Sequence, residues 1–254
     1  MTGATEPPEP SASLIVDRVR AACTRAGFDL VQPLRIGWYN GQVEGCLRLE
    51  DFGSAEHLAL LVGNTRALWP VWLDALASDP ELAACADPLD TYTERELSRA
   101  IDGVGVPAAL RFAHEAGERR VAIQRLAHAA GLAYLTETHL SVHPTYGPWI
   151  ALRAVVTLAV PGPAEPAALL EHPCGSCARG CQPAFERALA ALCGPPSEAT
   201  VLGAWRTWAD FRSACSTGQQ HRYPEAMLRY HYTKDRALLR QQGQSRQTSA
   251  QRKK

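Results

Sequence analysis

The run HPTYGPWIALRAVVTLAVPG, His143–Gly162, decides the fold. A His-Pro pair and a glycine turn at Gly147 lead into an apolar segment rich in β-branched residues, and Pro-Gly ends it. With the residues just before it, the run reads as two strands around Gly147. From Ala151 onward, alternation puts Leu152, Ala154, Val156 and Leu158 on one face and Ala151, Arg153, Val155 and Thr157 on the other. Arg153 thus falls on the less apolar face of a strand otherwise fit for a core. Two readings stand for it. A guanidinium at a sheet edge snorkels or pairs with a carboxylate. Held on a rigid strand, it also suits bidentate capture of an anion.

Outward from this strand the pattern mixes helices and strands without regular βαβ alternation, which predicts an α+β fold. ASLIVDRVRAACTRAG reads as a helix stopped by Gly27, and FDLVQPLRIGWYN as extended chain broken by Pro33. HLALLVGN, His57–Asn64, is short and apolar, as a buried strand is. ALWPVWLDALAS is helical with Pro70 in its first turn, DPLDTYTERELSRAI is a turn and a helix, and ERRVAIQRLAHAAGLAYL, Glu118–Leu135, reads as a longer helix. Past a Pro-rich linker come CGSCARGC, an Ala/Leu helix and the helical GAWRTWADFRSAC. One domain over 12–240 follows, with a disordered leader at 1–11 and a disordered tail at 241–254.

The 254 residues suffice for a sizeable core, and 46% hydrophobic content excludes a mostly disordered chain. Net charge is zero, so there is no basic footprint for nucleic acid. No apolar run approaches the ~20 residues of a membrane helix, and the first residues lack the pattern of a signal peptide. The expected location is the cytoplasm. Eight cysteines in a reducing compartment point to metal or redox chemistry before disulfides.

Three of them, Cys174, Cys177 and Cys181, follow C-x2-C-x3-C, and Cys193 or Cys215 is available as a fourth ligand. A degenerate relic of a lost site is the other reading. In WRTWADFRSAC, spacings of three, four and three place Trp205, Trp208, Arg212 and Cys215 on one helix side. Paired tryptophans there are ordinary core, but a buried Arg212 needs a partner and is a second candidate for an anion. His128 reads as a satisfied core histidine. With no P-loop, H-E-x-x-H, G-x-S-x-G or G-x-G-x-x-G, kinase, hydrolase and Rossmann readings have no support.

IGWYN, HLALLVGNTRALW, DPLD, QRLAHAAGLAY, HPTYGPWIALRAVVTLAVPG and WRTWADFR…RYPE occur in the order found in the MMACHC or cblC family of cobalamin-processing proteins, which the chain resembles over roughly 12–240. The resemblance implies a flavin-nitroreductase-like mixed sheet flanked by helices and a base-off cobalamin. It implies cyanocobalamin reductase and alkylcobalamin dealkylase activity, with glutathione or another thiol as co-substrate. It assigns thiol binding to Arg153, Arg212 and Arg236, and cobalamin binding to Val121, Ala122, Ile123, Gln124, His128, Leu135, Thr136, Ser141, Trp149 and Leu152.

Electrons for decyanation would come from a flavin (FMN or FAD), a partner reductase or an iron–sulfur cluster on the cysteine loop. CGSC opens the cluster loop of the related epoxyqueuosine reductases, though the following ARGCQP departs from their spacing. A cobalamin-acceptor protein is a further implied partner, in a monomer or homodimer. The competing readings are a non-catalytic cobalamin chaperone, an epoxyqueuosine-reductase-like enzyme and an ordinary flavin nitroreductase.

Overall fold

The computed structural model describes residues 11–242 except 169, 176, 178, 179 and 196. The expected leader and tail therefore lie, but for Ser11, Gln241 and Gln242, outside the described residues.

Helix α1 (Ala12–Arg25) starts where the Ser11 hydroxyl accepts the Leu14 amide at 3.3 Å, and it ends before Gly27, whose φ is 87°. Ile15, Val19 and Cys23 recur every four residues and are buried. Burial pushes the Cys23 thiol up to about 12, which makes it an inert core residue. Next come β1 (Leu30–Arg35), α2 (Ile36–Asn40), β2 (His57–Asn64), α3 (Leu68–Ser78), α4 (Pro80–Ala84) and α5 (Pro88–Ile101). Then follow β3 (Ala108–Phe112), α6 (Ile123–Ala129), β4 (Tyr134–Leu135), β5 (Ser141–Val142) and β6 (Ala151–Pro161). The chain continues through α7 (Cys181–Ala190), α8 (Glu198–Gly203), α9 (Trp205–Ser213) and α10 (Glu225–Thr233).

The main sheet has the order β1-β2-β6-β3, and β4 and β5 form a separate two-stranded ribbon. Leu58, Leu60 and Val62 of β2 join Ala154, Val156 and Leu158 of β6 in one core, covered by α1, α3, α5 and α10. Ala59, Leu61 and Val155 point into a second core, covered by α2 and α6. Both central strands are thus buried on both faces, and for this reason they read as nearly unbroken apolar runs. The fold is α+β, an antiparallel sheet flanked by helices. A third cluster, with Cys181, Ala184, Ala188 and Phe211, joins α7 to α9.

Several expectations need correction. The sheet is antiparallel at every pairing rather than mixed, because each strand returns opposite to its neighbour. Ile36–Asn40 is a helical turn and not extended chain: the Gly37 amide donates to the Ala55 carbonyl at 2.8 Å, and the Asn40 side chain ties down Leu49. Pro33, expected to break the strand, lies inside β1 because an edge strand spares a donor. The long helix over 118–135 shrinks to α6. Val121 is buried in extended approach, the Ala122 amide donates to the Tyr39 hydroxyl at 2.9 Å, and Gly131 at φ 67° turns the chain toward β4. Around Gly147 only a His143–Gly147 bridge and the short β5 precede β6. β3, a half-buried edge strand, had no clear alternation to announce it. Among the described residues, no helix is long and apolar enough to cross a membrane.

The pairing of β6 with β2 is irregular at two points, at its far end opposite His57 and Leu58 and at its start opposite Val62 and Gly63. Val62 pairs with Ala154 and Gly63 with Leu152, so Arg153 has no residue opposite and forms a β-bulge. Leu152, expected beside Ala154, packs against the second core instead, and Arg153 turns toward Leu68, Trp69 and Tyr230 of the first. Gly63 allows the close approach. A Cβ there would stand 2.7 Å from the Ala151 carbonyl oxygen.

Candidate functional site

The bulge delivers Arg153 to the wall of a cavity of about 310 Å³. Ile123 and Gln124 of α6, Ser141 of β5, Leu152 and Arg153 of β6, Arg212 of α9 and His231 of α10 all line it. Arg153 Nε donates to Asn64 Oδ1 at 2.7 Å, and Asn64 is itself buried and donates to the Thr65 carbonyl at 2.8 Å. The guanidinium plane is therefore set from the neighbouring strand. Its terminal amino groups have no hydrogen-bond or ion-pair partner among the described residues. Burial draws the Arg153 pKa below its ordinary value; the Arg212 cation acts the same way, and Tyr223, Asp90 and Tyr230 oppose it. An arginine stays charged regardless.

Arg212 has a different environment. It is 5% exposed, and its Nε and one terminal nitrogen donate to the Pro148 carbonyl at 2.9 and 2.6 Å, the latter also to the Ile150 carbonyl at 2.9 Å. The Trp149 and Tyr223 rings lie 5.0 and 4.6 Å from its guanidinium carbon. Arg212 is thus a strut that fixes the approach to β6, and it satisfies its buried charge with carbonyl dipoles. Trp208 packs on the third cluster and Trp205 on the first, while Cys215 lies past the end of α9, so the four residues do not form one functional face.

The Ser141 hydroxyl is buried on the cavity wall without a partner among the described residues, and Gln124 Nε2 donates to the His139 carbonyl at 2.7 Å. Of the remaining residues expected at the site, Val121 is core and Ala122 and Ile123 pack on it. Trp149 is 0% exposed and offers no surface to a ligand. Thr136 is buried and bonded to Thr138 and Leu140. His128 is exposed and accepts the Leu135 amide at 3.2 Å. Arg236 stands at another cavity with Leu73 and Leu76, donating to the carbonyls of Ala83 and Ala84. The structure therefore brings together Ile123, Gln124, Ser141, Leu152, Arg153 and Arg212.

Asn64 and His231 were missed. Asn64 ends a strand whose sequence gives no sign that its side chain crosses to β6, and His231 has no motif around it. Burial, then the cations Arg212, Arg153 and Lys234, hold the His231 pKa well below the ordinary histidine value. The folded protein keeps this ring neutral where the unfolded chain protonates it. The contribution of this ring to stability is therefore complete above about pH 6.5 and falls as pH drops below it, by up to about 1.4 kcal/mol per pH unit. Urea midpoints between pH 7 and 5 are expected to show this slope, and His231→Gln is expected to flatten it. Equal slopes in both proteins would remove His231 as the cause.

Cys181 lies where α7 meets α9, in a cluster on which Leu140 of the cavity wall also packs. Burial first, then the neighbouring Cys181 and Cys177, push the Cys174 thiol up; burial, joined by Cys181 and Cys177, does the same to Cys215. Cys193 is exposed. Among the described residues, no three metal-ligating side chains already converge on one point.

Comparison with known proteins bears on this cavity. No family model matches the chain. The cyanocobalamin reductase / alkylcobalamin dealkylase of Bos taurus is 26% identical over 169 residues, and that of Homo sapiens 26% over 168. Each match covers 59% of this chain, and it spans only 59% and 58% of those relatives' own lengths. A solved C. elegans structure, described as the B12-trafficking protein CblC and a human MMACHC homologue, superposes with a TM-score of 0.61. It is 17% identical, and the superposition covers 90% of this chain and 95% of that one. The chain is similar to the CblC-type proteins in sequence and in fold. The superposition shows a shared fold, in which this chain's antiparallel sheet is flanked by helices.

Proposed function

We propose that this chain takes cobalamin as its substrate and removes the upper axial ligand, by thiol-dependent dealkylation of alkylcobalamins and reductive decyanation of cyanocobalamin. One observation carries the reading: Arg153, turned by a bulge and braced by Asn64, lines a cavity of mixed polar and apolar wall and keeps terminal amino groups without a partner among the described residues. The similarity to proteins named for these two activities supports it. A cavity of about 310 Å³ suits a small thiol or an axial ligand and is too small for a corrin with its side chains. In this reading the corrin lies base-off across the mouth, against Ile123, Gln124 and Leu152, with the cobalt facing inward. The flavin-nitroreductase-like assignment of the fold belongs to the same reading.

The chemistry asked of the residues is modest. Arg153 grips a carboxylate of glutathione or a similar thiol through its terminal amino groups. Its charge and that of Arg212 favour the thiolate. The thiolate sulfur attacks the carbon bound to cobalt. A carbon–sulfur bond forms, the cobalt–carbon bond breaks, and the electron pair stays on the metal as cob(I)alamin while a thioether leaves. Holding sulfur against that carbon removes an entropic cost of several kcal/mol. Decyanation needs an electron donor in addition, and a reduced flavin carried by a partner reductase supplies it in this reading.

Titration of the protein with methylcobalamin tests the pocket. The expected result is a base-off shift of the corrin spectrum at one equivalent. An unchanged base-on spectrum at saturating protein would overturn the reading.

A further inference from the structure

The cysteines beside the cavity take no part in the chemistry above. We propose that Cys174, Cys177, Cys181 and Cys215 form a four-thiolate site for a thiophilic metal centre, with Cys215 and not Cys193 as the fourth ligand. Three of the sulfurs come from one eight-residue loop, in which the Cys177 amide donates to the Cys174 carbonyl at 3.3 Å. Three contacts lay that loop on the end of α9. Cys177 Sγ stands 3.8 Å from the hydroxyl of Ser216, which follows Cys215. A Cβ at Gly180 would stand 3.8 Å from the carbonyl of Ala214, which precedes Cys215. Cys181 shares a buried cluster with Phe211, and Ala214 packs against it. Cys193 lies beyond the far end of α7, exposed to solvent.

Packing does not account for this gathering, because small apolar residues fill such a space as well. Four soft ligands on a short loop and one opposing segment are the donor set of tetrahedral zinc and of iron–sulfur clusters. Among the described residues no three of these thiols yet converge on one point, and a bound metal would supply the free energy that draws the four sulfurs together. The inference is independent of the cobalamin reading.

The test uses the full chain purified without oxygen. Metal analysis and Co(II) titration are expected to give one centre per chain, with the intense visible bands of a tetrahedral thiolate site. Cys215→Ser is expected to weaken Co(II) binding roughly 100-fold or more, and Cys193→Ser to leave it unchanged. Uptake of iron and sulfide with a broad visible absorption identifies a cluster, and zinc without colour identifies a structural ion; both uphold the site. If Cys215→Ser does not fold, as judged by circular dichroism, Cys174→Ser carries the same expectation from the loop side. Absence of Co(II) binding, or binding that depends on Cys193 and not Cys215, would overturn the proposal.

Discussion

Replacing Arg153 with alanine is expected to raise the KM for the thiol in dealkylation roughly 10- to 100-fold while leaving the cobalamin dissociation constant nearly unchanged. The magnitude follows from two charge-assisted hydrogen bonds, each contributing about 1.5–3 kcal/mol and together less than their sum. The selectivity follows from geometry. Nε of Arg153 is occupied by Asn64, so the terminal amino groups are the ones left for an anion, whereas the proposed corrin contacts are Ile123, Gln124 and Leu152. Arg153→Lys is expected to recover little, since an ammonium cannot keep the Asn64 brace and a bidentate grip together. Arg212→Ala is expected to behave differently. It leaves the carbonyls of Pro148 and Ile150 and two aromatic rings without their partner, and it should cost stability before it alters thiol affinity. Steady-state kinetics with varied thiol, beside a cobalamin titration of each variant, separate these effects. Equal loss of thiol and corrin binding in Arg153→Ala would contradict the assignment.

The second large effect is expected at Gly147, where alanine should cost about 3–5 kcal/mol or prevent folding. Gly147 has φ 57°, and a Cβ there would fall 1.9 Å from the Thr217 carbonyl oxygen. Gly218, at φ 71°, meets Tyr146 in turn, where a Cβ would overlap the carbonyl group. The two backbones interlock, with no side-chain end free to yield. This clasp joins the turn before β6 to the segment after α9, beside the Arg212 strut and next to Cys215. Gly218→Ala should therefore match Gly147→Ala. Urea denaturation measures both, and losses under about 1 kcal/mol would mean that the clasp relaxes freely.

Much of the frame was legible because two physical signals are strong. Unbroken apolar runs in β2 and β6 announce strands covered on both faces, and the four-residue rhythm of α1 announces its buried stripe. What failed depends on tertiary partners. IGWYN coils because Ala55 and Leu49 bind it, and the helix expected over 118–135 is cut short because Tyr39 takes the Ala122 amide. None of these partners lies within the segment it fixes, and Tyr39 is 83 residues from Ala122. The site shows the same division. Arg153 and Arg212 stood out as cations in apolar contexts, but period-two reading gave Arg153 the wrong face, because a bulge that rests on Gly63 has no local signature. Trp149, expected at the cobalamin, proved to be core, since a tryptophan beside a strand looks the same in sequence either way.

The most direct measurement is a single turnover without oxygen: protein, methylcobalamin and glutathione, followed by corrin absorbance and by mass analysis of the thiol product. The expected products are cob(I)alamin and S-methyl glutathione in equal amounts, formed only with protein present and more slowly with Arg153→Ala. Methylcobalamin that binds base-off and keeps its methyl group with glutathione and with every other carboxylate-bearing thiol would contradict the proposed reaction, leaving a carrier of the vitamin rather than an enzyme acting on it.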